Sequence, residues 1–483
     1  HKEYRRQRQM CIRDRRYGSG AIGGIVNVID QLIPEKLASK LIGGAAEQRF
    51  NSASDETSSA LKIEGSKNHF AYHVDGFWRD QNNTHIGGNA IDEPLVRQVD
   101  TSFANISVGE IQNGNGVIPN SQARSQGGGA GFSWINDDDF AGASINTLDK
   151  MYGIPVNGKD ETPVHIQLNE TKYNFKGQVA KPFAFAEKIN FKFGYNDYKH
   201  VEMVGNETGA TFINQAYESR LTLDHTTFAN IAGTVGFQTN HSDFSAFEGK
   251  NDIVPKTQSQ SYALFAVEKL PVGALSYELS GRAEYQHLSP QQRQSLDYVP
   301  LSGSAAIAWD MTKTQQWKLG FTHSQRAPQI QELFTDGFHD ATFSYEKGGA
   351  LLNKELSNNL ELSYRLQNSW VNANATVFNN WVSDYIYQQR TDKLFNATDE
   401  SFTDVCPSDG ECFAVLNTQQ QAATFKGFEA QAVFPLMTNR YGAVDLTLFG
   451  DYTRGSFEKG GDIPRMPPLR YGAQFSYEKE DWS

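Results

Sequence analysis

From about Lys36 to Glu478 the chain is written in segments of ~10 to 15 residues in which apolar and polar positions alternate, the period of β-strands. Ile189, Phe191, Phe193 and Tyr195 fall on one face of such a segment, and Asn190, Lys192 and Gly194 on the other. Tyr277, Leu279, Ala283 and Tyr285 oppose Glu278, Ser280, Arg282 and Glu284 in the same way. Leu360, Leu362 and Tyr364 oppose Glu361, Ser363 and Arg365. Two architectures accept this pattern, a soluble sandwich open to water on one side and a transmembrane barrel. The connections separate them. About eighteen strands are predicted, joined alternately by short turns and long loops. The short turns include 66–68, 137–139, 271–273 and 367–369, and the long loops include 82–122, 325–354 and 391–413. A sandwich has no reason to keep every long loop at one end, whereas an outer-membrane barrel does. The expected fold is therefore all-β, a transmembrane antiparallel β-barrel.

Composition narrows the picture further. Among the 483 residues 39% are hydrophobic and 12% aromatic, and the formal net charge is −12. No run of 18 or more apolar residues occurs, which excludes membrane-spanning helices. A polar average with many aromatic residues suits a barrel whose lipid face takes only every second residue. The acidic balance argues against nucleic acid as a partner, since phosphates need clustered Lys and Arg. Of the three cysteines, Cys406 and Cys412 lie in one hydrophilic loop. They read as a disulfide formed in an oxidising compartment, the alternative being two free thiols. Residues 1–15 are basic and lack the apolar stretch of a signal peptide. They read as a non-native or disordered leader and are left out of the fold, Cys11 with them.

Ahead of the strands lies Tyr17–Asp30, YGSGAIGGIVNVID, with Gly18, Gly20, Gly23 and Gly24 followed by a β-branched run. Glycines so dense suit a tight bend between packed segments. A dinucleotide fingerprint is excluded, because no helical period follows. The stretch resembles the last segment of the plug domain of TonB-dependent outer-membrane receptors. A second stretch, Gln325–Glu355, resembles the block in that family whose Arg-Ala-Pro start and Leu-x-x-Glu end enclose an extracellular loop. Within it Gly337-Phe338-His339-Asp340-Ala341-Thr342, together with Val164-His165-Ile166 and Lys172–Gly177, is most similar to the zinc and haem receptor branch.

The resemblance implies a plug segment over 16–35 and a barrel over 36–483. Such barrels have 22 strands, so about eighteen implies a chain without most of the plug and about four closing strands, leaving two open sheet edges. It also implies active uptake of a scarce metal or metal chelate, Zn²⁺ or haem foremost and a siderophore next. The partners it implies are outer-membrane lipid and the TonB–ExbB–ExbD energy-coupling complex, in the outer membrane of a Gram-negative bacterium. No intrinsic cofactor is expected, and no nucleophile–base or zinc-hydrolase motif marks an enzyme. His339 and Asp340, with Glu284 and His287 from a neighbouring rim, form the expected metal ligands, since imidazole and carboxylate together suit Zn²⁺. Against zinc, the Tyr152-Gly153-Ile154-Pro155 motif is followed by no histidine-rich insertion. The competing reading is a passive porin, which would have no use for the glycine-rich leader.

Overall fold

The computed structural model describes residues 30–99, 113–155, 162–407 and 410–479. Gly18, Gly20, Gly23 and Gly24 lie outside the described residues. One sheet of 22 strands contains almost the whole chain. Four of its strands, Leu296–Tyr298, Asp336–His339, Ser344–Lys347 and Ser401–Thr403, are short pieces within loops. The remaining eighteen form a continuous wall.

The wall begins with β1 (Gly43–Asn51), β2 (Glu56–Lys67), β3 (Phe70–Gln81), β4 (Ala123–Asn136), β5 (Asp139–Gly153) and β6 (Val164–Phe183). It continues through β7 (Ala186–Val204), β8 (Glu207–His225), β9 (Ala232–Glu248), β10 (Asn251–Val272), β11 (Leu275–Pro290) and β12 (Leu301–Thr312). The last six are β13 (Gln315–Arg326), β14 (Glu355–Gln367), β15 (Asn372–Asn396), β16 (Cys412–Asn439), β17 (Gly442–Phe457) and β18 (Arg470–Glu478). Each pairs antiparallel with the next, and the sheet does not close on itself.

Short connections such as 68–69, 137–138, 273–274 and 368–371 gather at one end, within a residue or two of the predicted turns. The 82–122, 327–354 and 397–411 connections lie at the other. Two connections at that loop end are also tight, 205–206 and 249–250, each with a glycine at positive φ (Gly205 at 60°, Gly249 at 57°). There the strands themselves lengthen, β7 and β8 to 19 residues each, so the extra chain is spent on protruding hairpins.

Which face is buried decides between sandwich and barrel. Leu264 is 66% and Leu279 59% exposed, while Arg282 and Glu284 on the opposite face are 5% and 7% exposed. Apolar side chains point outward and charges inward, the reverse of a soluble fold and the arrangement of a wall set in lipid. Leu221, Phe237, Leu264, Ala283 and Leu301 are successive cross-strand partners, an apolar row running over five strands. At the turn end Phe70, Trp134, Phe183, Phe185, Phe228 and Trp370 are exposed, as in the aromatic girdle at a membrane–water boundary. No described helix is long and apolar enough to cross a membrane.

Candidate functional site

The 327–354 loop is held at its base by Arg326, the last residue of β13. Its guanidinium donates to Glu332 through Nη1 (2.8 Å) and Nη2 (3.1 Å), and through Nη2 to Glu355 at the start of β14 (3.1 Å). Glu355 also accepts the Ile386 amide of β15 (3.1 Å). Glu332 accepts the Gln329 amide (2.7 Å) and so caps a one-turn helix, α1 (Ile330–Phe334). From that turn Leu333 and Phe334 insert among Ala210, Ala246, Ile253, Val254 and Leu288 at the outer ends of β8 to β11. The Arg-Ala-Pro and Leu-x-x-Glu sequences thus meet in space as one buried ion-pair network.

Beyond α1, Asp336–His339 pairs antiparallel with Ser344–Lys347, which runs parallel to Ala414–Asn417 of β16. Phe338 lies 4.7 Å from Phe413 and Tyr345 4.7 Å from Phe395, backing this hairpin onto the 397–411 connection. A Cys406–Cys412 disulfide closes that connection, with Cα atoms 5.9 Å apart. The turn of the hairpin is a short 3₁₀ segment, Asp340–Thr342. It ends at Phe343 with φ 50° and ψ 47°, an uncommon conformation for a bulky residue.

This turn is aimed at β7. His339 Nε2 lies 2.8 Å from Glu202 Oε1, and its Nδ1 lies 3.6 Å from Glu346 Oε1. The Ala341 amide donates to Glu202 Oε2 (3.2 Å). Glu202 continues the polar, inward register of Asn190 and Lys192 and is 1% exposed. The His339 ring lies 5.3 Å from Phe212, which stacks on His200. Asp340 is buried, and its Oδ2 has no hydrogen-bond partner. A Cβ on Gly209 would stand 2.5 Å from that oxygen, so glycine leaves the carboxylate its room.

The charges are mutually adjusted. Burial alone would lower the His339 pKa, but the Glu202 and Glu346 carboxylates outweigh it and push it up to about 10. Burial, and then the charge of Glu202, raise the Asp340 carboxyl, against a hydrogen bond from the Ala210 backbone. Burial would raise Glu346 as well, yet its contacts with imidazolium leave it lowered. Three acidic side chains thus gather around one imidazolium.

Of the residues expected to bind metal, His339 and Asp340 meet here. Glu284 accepts from Arg282 (2.7 and 2.9 Å) and His287 pairs with Asp297 (2.8 Å). Among the described residues no group of three or more His, Cys, Asp or Glu side chains stands in a geometry that could hold a metal ion. Sequence reasoning missed Glu202 and Glu346. Glu346 carried a usable signal, since it lies opposite Gly337 in a hairpin of two four-residue strands.

An outward apolar wall, a polar lumen and a folded loop across one end define a membrane-spanning β-barrel of the receptor type. The family profile described as TonB dependent receptor-like, beta-barrel matches residues 95–483, and the chain belongs to that family. Solved structures similar in fold include the copper transporter OprC, with a TM-score of 0.70 at 12% identity, covering 92% of this chain and 66% of that one. The FrpB iron transporter from Neisseria meningitidis aligns with a TM-score of 0.64 at 11% identity, over 88% of this chain and 63% of the other. The Serratia marcescens hemophore receptor HasR, solved with its hemophore HasA and heme, gives 0.68 at 13% identity, over 92% and 72%. The chain therefore spans less than two thirds of the first two.

Proposed function

We propose that the chain forms most of the barrel of an outer-membrane receptor in a Gram-negative bacterium, one that takes up a scarce metal or metal chelate actively. In this reading outer-membrane lipid surrounds the apolar belt. The TonB–ExbB–ExbD complex supplies the energy through a plug that precedes the barrel. A passive porin is disfavoured by Leu32 and Ile33, which lie against the inner face of the wall. The observation that carries the reading is the 339–346 turn, where the loop delivers an imidazole and carboxylates to Glu202 on the wall.

Zn²⁺ is the favoured cargo. His339, Asp340, Glu202 and Glu346 offer one nitrogen and several hard oxygens, a set suited to Zn²⁺. A metal ion would take one imidazole nitrogen, so one of the two imidazolium N–H protons would pass to solvent, and the carboxylate facing that nitrogen, Glu202 at Nε2 or Glu346 at Nδ1, would turn to the ion. Haem is the second reading, resting on the imidazole alone. Glu284 and His287, engaged elsewhere, are left out of the set.

Equilibrium binding of Zn²⁺ and of haemin to the full-length receptor tests this. His339→Ala should weaken Zn²⁺ at least ~10-fold through loss of one donor. Asp340→Asn should weaken Zn²⁺ and leave haemin unchanged. Affinities of both variants within twofold of wild type for both ligands would overturn the assignment.

A further inference from the structure

Residues 31–41 do not form a strand. Leu32 and Ile33 lie against the inner face of β4 and β5, over positions where the wall carries glycine. Phe132, 62% exposed, points outward, so Gly129 and Gly131 of β4 point inward. A Cβ at Gly131 would collide with the Leu32 carbonyl, while Gly65, opposite Tyr72 in the outward register of Phe132, has the Leu41 carbonyl beside it. At Gly129 it would stand 2.5 Å from Leu32 Cδ2, and at Gly142 2.6 Å from Ile33 Cγ2. Ile33 is 2% exposed and packs with Ala71, Ile135 and Phe140. Polar ties follow the same line: Ser66 donates through its amide to the Lys40 carbonyl (3.1 Å) and through Oγ to that of Ala38 (2.7 Å). Tyr72 Oη donates to the Leu41 carbonyl (2.8 Å).

We propose that this glycine-lined seat makes Leu32 and Ile33 a stationary anchor, which stays on the wall when force is applied to the chain ahead of Asp30. Pulling the segment free would uncover both side chains. They precede the ties at Ala38, Lys40 and Leu41, so a pull from the N-terminal side is met first at Leu32–Ile33 and is borne by β4 and β5. The proposal rests on the receptor reading only for the source of that force.

The test uses the complete receptor in living cells, with Cys11→Ser and Ile33→Cys, and a small maleimide that enters the lumen. Residue 33 should stay unlabelled both in energised cells and in cells treated with a protonophore. Adding Gly131→Val should expose it at least tenfold, and Gly142→Val, acting from the other strand, should do the same. Labelling of residue 33 in energised cells alone would overturn the anchor. Continued protection in both valine variants would overturn the role of the glycines. Failure of the transport reading appears elsewhere, as a receptor that accumulates no cargo.

Discussion

His339 is the residue on which the loop site turns, because it is held as a cation between two glutamates. Its pKa is raised to about 10, above the ordinary value near 6.5. Its contribution to holding the loop is therefore whole below about pH 6.5 and is lost as pH rises through about 10. Glu346 has the opposite sign: its lowered pKa helps at neutral pH and stops helping as pH falls through that lowered value. Hydrogen exchange of residues 336–347 should show steady protection near neutral pH and a decline toward pH 10, and His339→Ala should remove the alkaline decline. Zn²⁺ must displace the same proton, so its affinity should rise about tenfold per pH unit below the imidazolium pKa. A flat Zn²⁺ profile between pH 6 and 8 would separate the metal from His339.

At the scale of elements, the 327–354 loop is a folded unit tied to the wall at two places. Its tip is tied by Glu202 and its base by Arg326. Removing one member of a buried ion pair leaves its partners uncompensated, at a cost of about 3–5 kcal/mol. Arg326→Ala should thus free α1 and the hairpin behind it while the wall remains. Limited proteolysis should then cut within 327–354 and leave the barrel core whole; unchanged resistance would mean that the aromatic and apolar contacts suffice.

Much of this architecture was legible in the chain, and particular residues show why the rest was not. Alternation at 277–285 revealed two faces but not which of them meets lipid; the uneven connections supplied that. The turn near 137–138 was readable from local residues alone. Pairing of His339 with Glu202 was not, because it joins segments more than a hundred residues apart with no shared period. Glu284 was readable as an inward carboxylate, but its pairing with Arg282, two residues away on the same strand face, was not drawn from the pattern.

For the whole molecule, the ordering of faces should govern stability. Leu264 lies in the apolar row across β8 to β12, and an arginine there should cost about 2–4 kcal/mol if the position is near the bilayer midplane. Leu264→Arg should lower the yield of folded barrel in lipid vesicles, whereas Ser261→Arg, on the inner face, should not show that lipid penalty. Equal losses would deny that the outer face meets lipid. The account as a whole is tested most directly by Zn²⁺ accumulation in cells carrying the full-length receptor, with and without TonB. Saturable uptake that needs TonB and falls at least tenfold in His339→Ala is the result expected. Uptake that rises linearly with Zn²⁺ and ignores both TonB and His339 would mark a passive channel and contradict the account.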